Sequence, residues 1–129
     1  MFHSSCYSVP FVVDEVELSL PRYPSQDLLR FATTLLERAG LDHDKSRTVA
    51  EVLLEGDLLG HDTHGLHLLA PYLKELEQGT MEKAGGPRVV HDKPAAMTWD
   101  GRRLPGPWLV AQAIDEALPR ARELGTCSV

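Results

Sequence analysis

Three of the chain's six histidines, His61, His64 and His67, stand three residues apart inside GDLLGHDTHGLHLL, residues 56–69. Imidazoles at this density can ligate a metal, act as the base of a nucleophilic relay, or move a proton singly. Metal ligation requires side chains that converge on one point. On a continuous helix three such positions spread over an arc of about 120°. The i, i+4 spacing of H-E-x-x-H is missing and Asp62 is the one carboxylate within the cluster, so no metal is expected. A hydrolase relay from Thr63 through His64 is disfavoured too, because adjacent residues do not normally face one another and no G-x-S-x-G elbow occurs. Proton transfer by His64 remains, with Thr63 beside it.

The backbone that carries these residues is set by Pro71, which costs a hydrogen bond and a steric clash anywhere but in a helix's first turn. LLAPYLKELEQG is therefore expected as a helix ended by Gly79, with GHDTHG as the turn that feeds it. His61 and His64 then lie on irregular backbone near a positive helix N-terminus, which disfavours a charged ring, while a carboxylate such as Asp62 favours one. Gly65 would let backbone or ligand approach closely.

Upstream, residues 1–15 carry no periodicity and VELSL (16–20) alternates as a short strand would. A helix is expected from Ser25 as N-cap, with Leu28, Phe31, Ala32, Leu35 and Ala39 at helical spacing and Gly40 as its stop. A second opens at Asp42 or Asp44, carries Val49, Val52, Leu53 and Leu59, and ends at Gly60; the two should pair as a helical hairpin. Downstream, RVVHD and AAMTWDG read as two strands joined across Asp92, Lys93 and Pro94. A last helix starts near Gly106 and Pro107, with Val110, Ile114, Ala117, Leu118, Ala121 and Leu124 along one side, a kink at Pro119 and Gly125 after it. The final TCSV looks like the opening of a further strand.

A length of 129 residues suits one domain able to bury roughly two-thirds of its unfolded surface. With 13 basic against 19 acidic residues, net charge −6, nothing supplies the counterion release that drives nucleic-acid binding. Neither a membrane span nor a secretory leader is legible, and Cys6 and Cys127 lack pairing or zinc spacing, so the cytoplasm is the expected compartment and both are expected as free thiols. Asp57, among leucines toward the end of the second helix, is placed either to orient His61 or His64 or to face solvent, and solvent is the favoured reading. Trp99 and Trp108 are expected in the core. His3, His43 and His91 read as surface residues, and Gly85, Gly86 and Pro87 as a plain turn, since no helix start with Lys-Ser/Thr follows.

The stretch GDLLGHDTHGLHLLAPYLKELEQG resembles the signature of the malate/L-lactate dehydrogenase family, in which Gly, a two-residue spacer, Ser/Thr-His-Gly, a tyrosine and a glycine follow in order. The hairpin ending WDG, Gly106 before the last helix and the closing ARELG extend the resemblance from about Val16 to Val129. It implies a mainly helical α+β fold with a short strand and a small β-hairpin, incomplete relative to the family. It further implies NAD(P)-dependent hydride transfer between a 2-hydroxy acid, or cyclic amino acid, and its 2-oxo or imino form. In that family the histidine of the motif exchanges the substrate proton and the hydroxyl before it belongs to a charge relay. Those roles fall on His64 and Thr63.

NAD or NADP as cofactor, a small-molecule substrate and a homodimer come with the same resemblance. One departure is Leu68, where many members carry an arginine that clamps the substrate carboxylate; His67 is a weaker replacement. The family's cofactor-binding domain is expected to be absent from residues 16–129, making this an N-terminal piece that does not turn over alone. The alternative is a helical interaction or dimerisation module without chemistry.

Overall fold

Helix α1 (Ser25–Arg38) starts one residue earlier than a Ser25 cap would allow: Pro24 is the flanking residue, and its carbonyl accepts from the amides of Asp27 and Leu28 at 3.0 and 3.2 Å. In this computed structural model residues 21–129 are described; the strand expected over 16–20, the segment before it, His3 and Cys6 lie outside the described residues. Ala32 and Leu36 face inward while Phe31, expected on the same apolar row, is 60% exposed. Gly40, at φ +93°, ends the helix, with Gly40 N–H donating to Glu37 O and Leu41 N–H to Leu36 O, the paired bonds of a Schellman motif.

Helix α2 (His43–Leu58) runs back against α1 as the expected hairpin. Ser46, Val49, Ala50 and Leu53 make its buried stripe at three- and four-residue intervals, whereas Val52 and Leu59, expected among them, are exposed. Helix α3 (Leu69–Gln78) has Pro71 in its first turn and Gly79, at φ +69°, as its stop. Leu69 and Leu76 close the α1–α2 core from α3's side.

The hairpin pairs β1 (Arg88–Lys93) with β2 (Ala96–Asp100) antiparallel, from Arg88 opposite Asp100 to Lys93 opposite Ala96, with an irregularity between Val89 and His91. Ser128 adds to the free edge of β2: it bridges Ala96 in parallel, donating to Ala95 O and accepting from Met97 N–H. The closing TCSV thus does start a strand pairing. The fold is α+β, mainly helical with one two-stranded sheet among the described residues.

Helix α4 (Gly106–Leu124) has Pro107 in its first turn and continues through Pro119. Two attachments hold it. The Trp108 indole N–H donates to Asp44 Oδ2 at 2.7 Å, and the nearly buried Lys45 ammonium sits 4.4 Å from the Trp108 ring centroid and 3.0 Å from Asp42 Oδ2. Farther along, the Arg120 guanidinium grips Asp92 of β1 and holds its carboxyl below the usual range. Trp108 is therefore core, as expected. Trp99 is half-buried instead, lining an open hollow with Leu109, Val110 and Ala113, and its indole N–H has no partner among the described residues. The apolar row of α4 turns outward, with Val110 60% and Ile114 56% exposed.

Between β2 and α4 the chain turns through Arg102 (φ 51°) and Arg103 (φ 59°), with Leu104 N–H donating to Gly101 O at 2.9 Å. Left-handed backbone at both central positions marks a type I′ turn, which asparagine and glycine occupy more cheaply than arginine. Arg102→Asn should therefore stabilise the chain by up to about 1 kcal/mol. Urea denaturation of the two proteins checks this, and a lower midpoint for the variant contradicts it.

Candidate functional site

Helix α2 ends in a second Schellman motif. Gly60, at φ +75°, donates to Asp57 O at 3.0 Å and His61 N–H reaches back to Gly56 O at 2.8 Å. The chain then makes two short 3₁₀ turns rather than an irregular loop. Residues Asp62–His64 form the first, closed by His64 N–H on His61 O at 2.8 Å. Gly65 is extended (φ −93°, ψ −163°), and Leu66–Leu68 forms the second, closed by Leu68 N–H on Gly65 O at 3.0 Å. Leu69 continues directly into α3.

This loop rests on the last turns of α2. A Cβ at Gly56 would stand 2.6 Å from the carbonyl oxygen of His64, closer than such atoms can approach, so only glycine admits the contact. On the next residue, Asp57 Oδ2 accepts from Leu66 N–H at 2.9 Å, while a Cβ at Gly65 would fall 1.6 Å from Asp57 Oδ1. Asp57 is exposed, as favoured, and its carboxylate also engages the loop through the Leu66 amide. Gly65 does serve close approach, and what approaches is this carboxylate. One signal was available in the sequence, a glycine inside a helix next to an aspartate that faces a Gly-Leu step nine residues on.

Thr63 and His64 are both exposed, and Thr63 Oγ1 lies 2.9 Å from His64 Nδ1. The two side chains meet although a 3₁₀ turn sets adjacent residues about 120° apart, because Oγ1 and Nδ1 both lie close to the backbone. With Nδ1 engaged, Nε2 is the ring nitrogen free to exchange a proton with a ligand. His61 and His67 are exposed as well. Among the described residues no three His, Cys, Asp or Glu side chains gather as a metal would need. Leu68 is half-buried against the core and lines a groove with Pro71, Tyr72, Glu75 and Met81. Burial, and then the charge of Glu75, push the Tyr72 phenol up.

Gly85 and Gly86 lead through Pro87 into strand β1, not into a helix whose amides could receive a diphosphate. The free thiol of Cys127 is half-buried. His43 pairs with Glu37, and His91 is exposed on β1.

Residues 23–129 match the family model described as malate/L-lactate dehydrogenase. Hydroxycarboxylate dehydrogenase B of Escherichia coli K12 is 27% identical over 108 residues, which cover 84% of this chain and 30% of that protein. Malate dehydrogenase of Pyrococcus abyssi is 24% identical over 85% of this chain and 30% of its own length. The structure of malate dehydrogenase from Pyrococcus horikoshii superposes with a TM-score of 0.78 at 25% identity, over 81% of this chain and 30% of that one. The chain thus spans about 30% of the length of the relatives it matches.

Helix propensity alone would make Gly56→Ala stabilising by about 1 kcal/mol. A methyl forced against the His64 carbonyl costs more than that, about 1–3 kcal/mol for overpacking. Net destabilisation is therefore expected, with amide resonance shifts concentrated at residues 61–66. A variant of wild-type stability with those resonances unmoved would show that the loop does not rest on Gly56.

Proposed function

Because the chain belongs to the malate/L-lactate dehydrogenase family, we propose that it carries the proton-transfer side of a hydroxy-acid oxidoreductase site, with His64 as the acid–base residue and Thr63 as its partner. The observation that carries this reading is the 2.9 Å contact between Thr63 Oγ1 and His64 Nδ1, in a turn exposed to an incoming ligand and fastened to α2. A threonine hydroxyl both donates and accepts, so it can serve either state of the ring. With Nδ1–H donating to Thr63 Oγ1 throughout, Nε2 cycles between bare and protonated. It takes the hydroxyl proton of a 2-hydroxy acid, or the ring N–H proton of a cyclic amino acid, as the substrate is oxidised, and returns a proton when the 2-oxo or imino form is reduced.

The cofactor in this proposal is NAD or NADP, which when bound supplies or accepts the hydride. Its binding residues are not assigned to this chain. The substrate is a small molecule, and the setting is cytoplasmic. Among the described residues no helix is long and apolar enough to cross a membrane. In the active enzyme that contains this chain, His64→Ala should lower the rate of nicotinamide-dependent reduction of a 2-oxo acid by about a hundredfold or more, the usual worth of a positioned acid–base group. Single-turnover kinetics with NADH and NADPH checks this, and an unchanged rate rejects His64.

A second reading, the interaction or dimerisation module, draws on the outward row of α4, where Val110, Ile114 and Leu118 are 60%, 56% and 48% exposed at four-residue spacing. The homodimer would use that row. Light scattering should then give twice the 14.3 kDa chain mass, and Ile114→Lys should halve it. A monomer at every concentration removes this reading and leaves the first intact.

A further inference from the structure

We infer that Asp57 is the positioning residue for His64, an assignment that rests on the reading of His64 as the proton-exchanging group. Asp57 lies in the last turn of α2, close to the negative end of the helix dipole, where an acidic side chain is disfavoured. Something must offset that placement. Oδ2 accepts the Leu66 amide at 2.9 Å, a charge-assisted bond to the first amide of the second 3₁₀ turn, which no carbonyl within that turn can satisfy.

The same carboxylate fills the space where position 65 would carry a side chain. A Cβ there would meet Oδ1 at 1.6 Å and Cγ at 2.4 Å. One residue earlier on α2, Gly56 lets the His64 carbonyl rest on the helix, 2.6 Å from where its own Cβ would be. The segment His64–Gly65–Leu66 is consequently held at both ends by two consecutive residues of one rigid helix. His64 N–H is bound in turn to His61 O at 2.8 Å, and His61 N–H to Gly56 O at 2.8 Å. Each backbone bond around the histidine leads back to Gly56 or Asp57.

What this clamp fixes is the backbone from which the His64 ring projects, and hence the ring's contact with Thr63 Oγ1. The ring itself is exposed, so burial does not hold it. A ring set in place before substrate arrives saves the cost of orienting it during the reaction. Asp57 touches neither the ring nor, in this geometry, a reacting atom. Its action on proton transfer passes through the peptide backbone.

The test uses the whole ¹⁵N-labelled chain and two readouts: the ring-nitrogen signals of His64, which report on its contact with Thr63, and hydrogen exchange at the Leu66 amide. Thr63→Val provides the signals of a ring that has lost its partner. Asp57→Ala should move the ring signals toward that reference and speed Leu66 exchange by about tenfold or more. Asp57→Asn, which keeps an acceptor oxygen for Leu66, should restore both. Core amides of Leu36, Val49 and Leu53 should stay protected throughout, separating a displaced loop from an unfolded chain.

Where Asp57→Ala loses the core amides, Gly65→Ala decides, because its methyl expels the carboxylate while Asp57 itself is intact. Ring signals that stay at wild-type positions in a folded Asp57→Ala or Gly65→Ala chain overturn the assignment, and so does an Asp57→Asn chain that restores neither readout. None of these measurements needs turnover. A failed His64→Ala rate test and an unmoved ring are thus different results, the first against the acid–base reading and the second against Asp57.

Discussion

The contact between the end of α2 and the turn that follows it is the constraint on which the candidate site depends. The buried stripe of α2 runs Ser46, Val49, Ala50, Leu53, and the next positions on the same face, three and four residues beyond Leu53, are Gly56 and Asp57. The face that packs the core therefore continues under the His64 turn. It changes chemistry on the way: side chains that meet side chains give way to a glycine that meets a carbonyl and a carboxylate that meets an amide. The Leu66 amide finds a charged acceptor on this last turn of the helix.

That arrangement makes α2 the element on which the other helices converge. Its first turn holds α4 through Asp44, Lys45 and Trp108, its middle makes the core with α1 and α3, and its end holds His64. Lys45 is the uncommon piece, an ammonium almost entirely removed from water yet paired with Asp42 and stacked against an indole. Both partners offset part of the desolvation that such burial costs. A disturbance at either end of α2 is carried along a single rigid helix, although the two ends face different neighbours.

What the sequence made legible is what depends on local chemistry. Pro71 placed the start of α3, Gly40, Gly60 and Gly79 marked helix ends, and the two short stretches on either side of Pro94 read as the hairpin. His64 and Thr63 stood out by their spacing and by the motif that contains them. The rest depended on contacts between distant residues or on which side of an element is covered. From its type and place alone Asp57 stands between orienting a histidine and facing solvent, because its partner is a backbone amide nine positions away, and an amide has no letter in the sequence. The Trp108 bond to Asp44 spans 64 positions. The α4 row reads as apolar whether or not anything covers it, so periodicity located the row and said nothing of its exposure. The Thr63–His64 contact escaped the rule that neighbours face apart because that rule follows the backbone, whereas a hydroxyl on Cβ and a ring nitrogen near Cβ can meet even across the roughly 120° step of a 3₁₀ turn.

The same geometry explains why three evenly spaced histidines are not placed alike. In a 3₁₀ turn, residues three apart lie above one another, so a continuous run would stack His61, His64 and His67 on one edge as a ligand set. Gly65 interrupts the run: its extended backbone separates the turn that holds His64 from the turn that holds His67. Gly65 can take this part because Asp57 occupies the space a side chain would need. His61 is used through its backbone, donating to Gly56 O and accepting from His64 N–H, while His67 belongs to the turn that begins at the Asp57-bound amide. Of the three rings, that of His64 has a hydroxyl on one nitrogen and leaves the other open. A single interruption in the backbone thus separates three evenly spaced rings and leaves one of them, that of His64, held by a neighbouring hydroxyl.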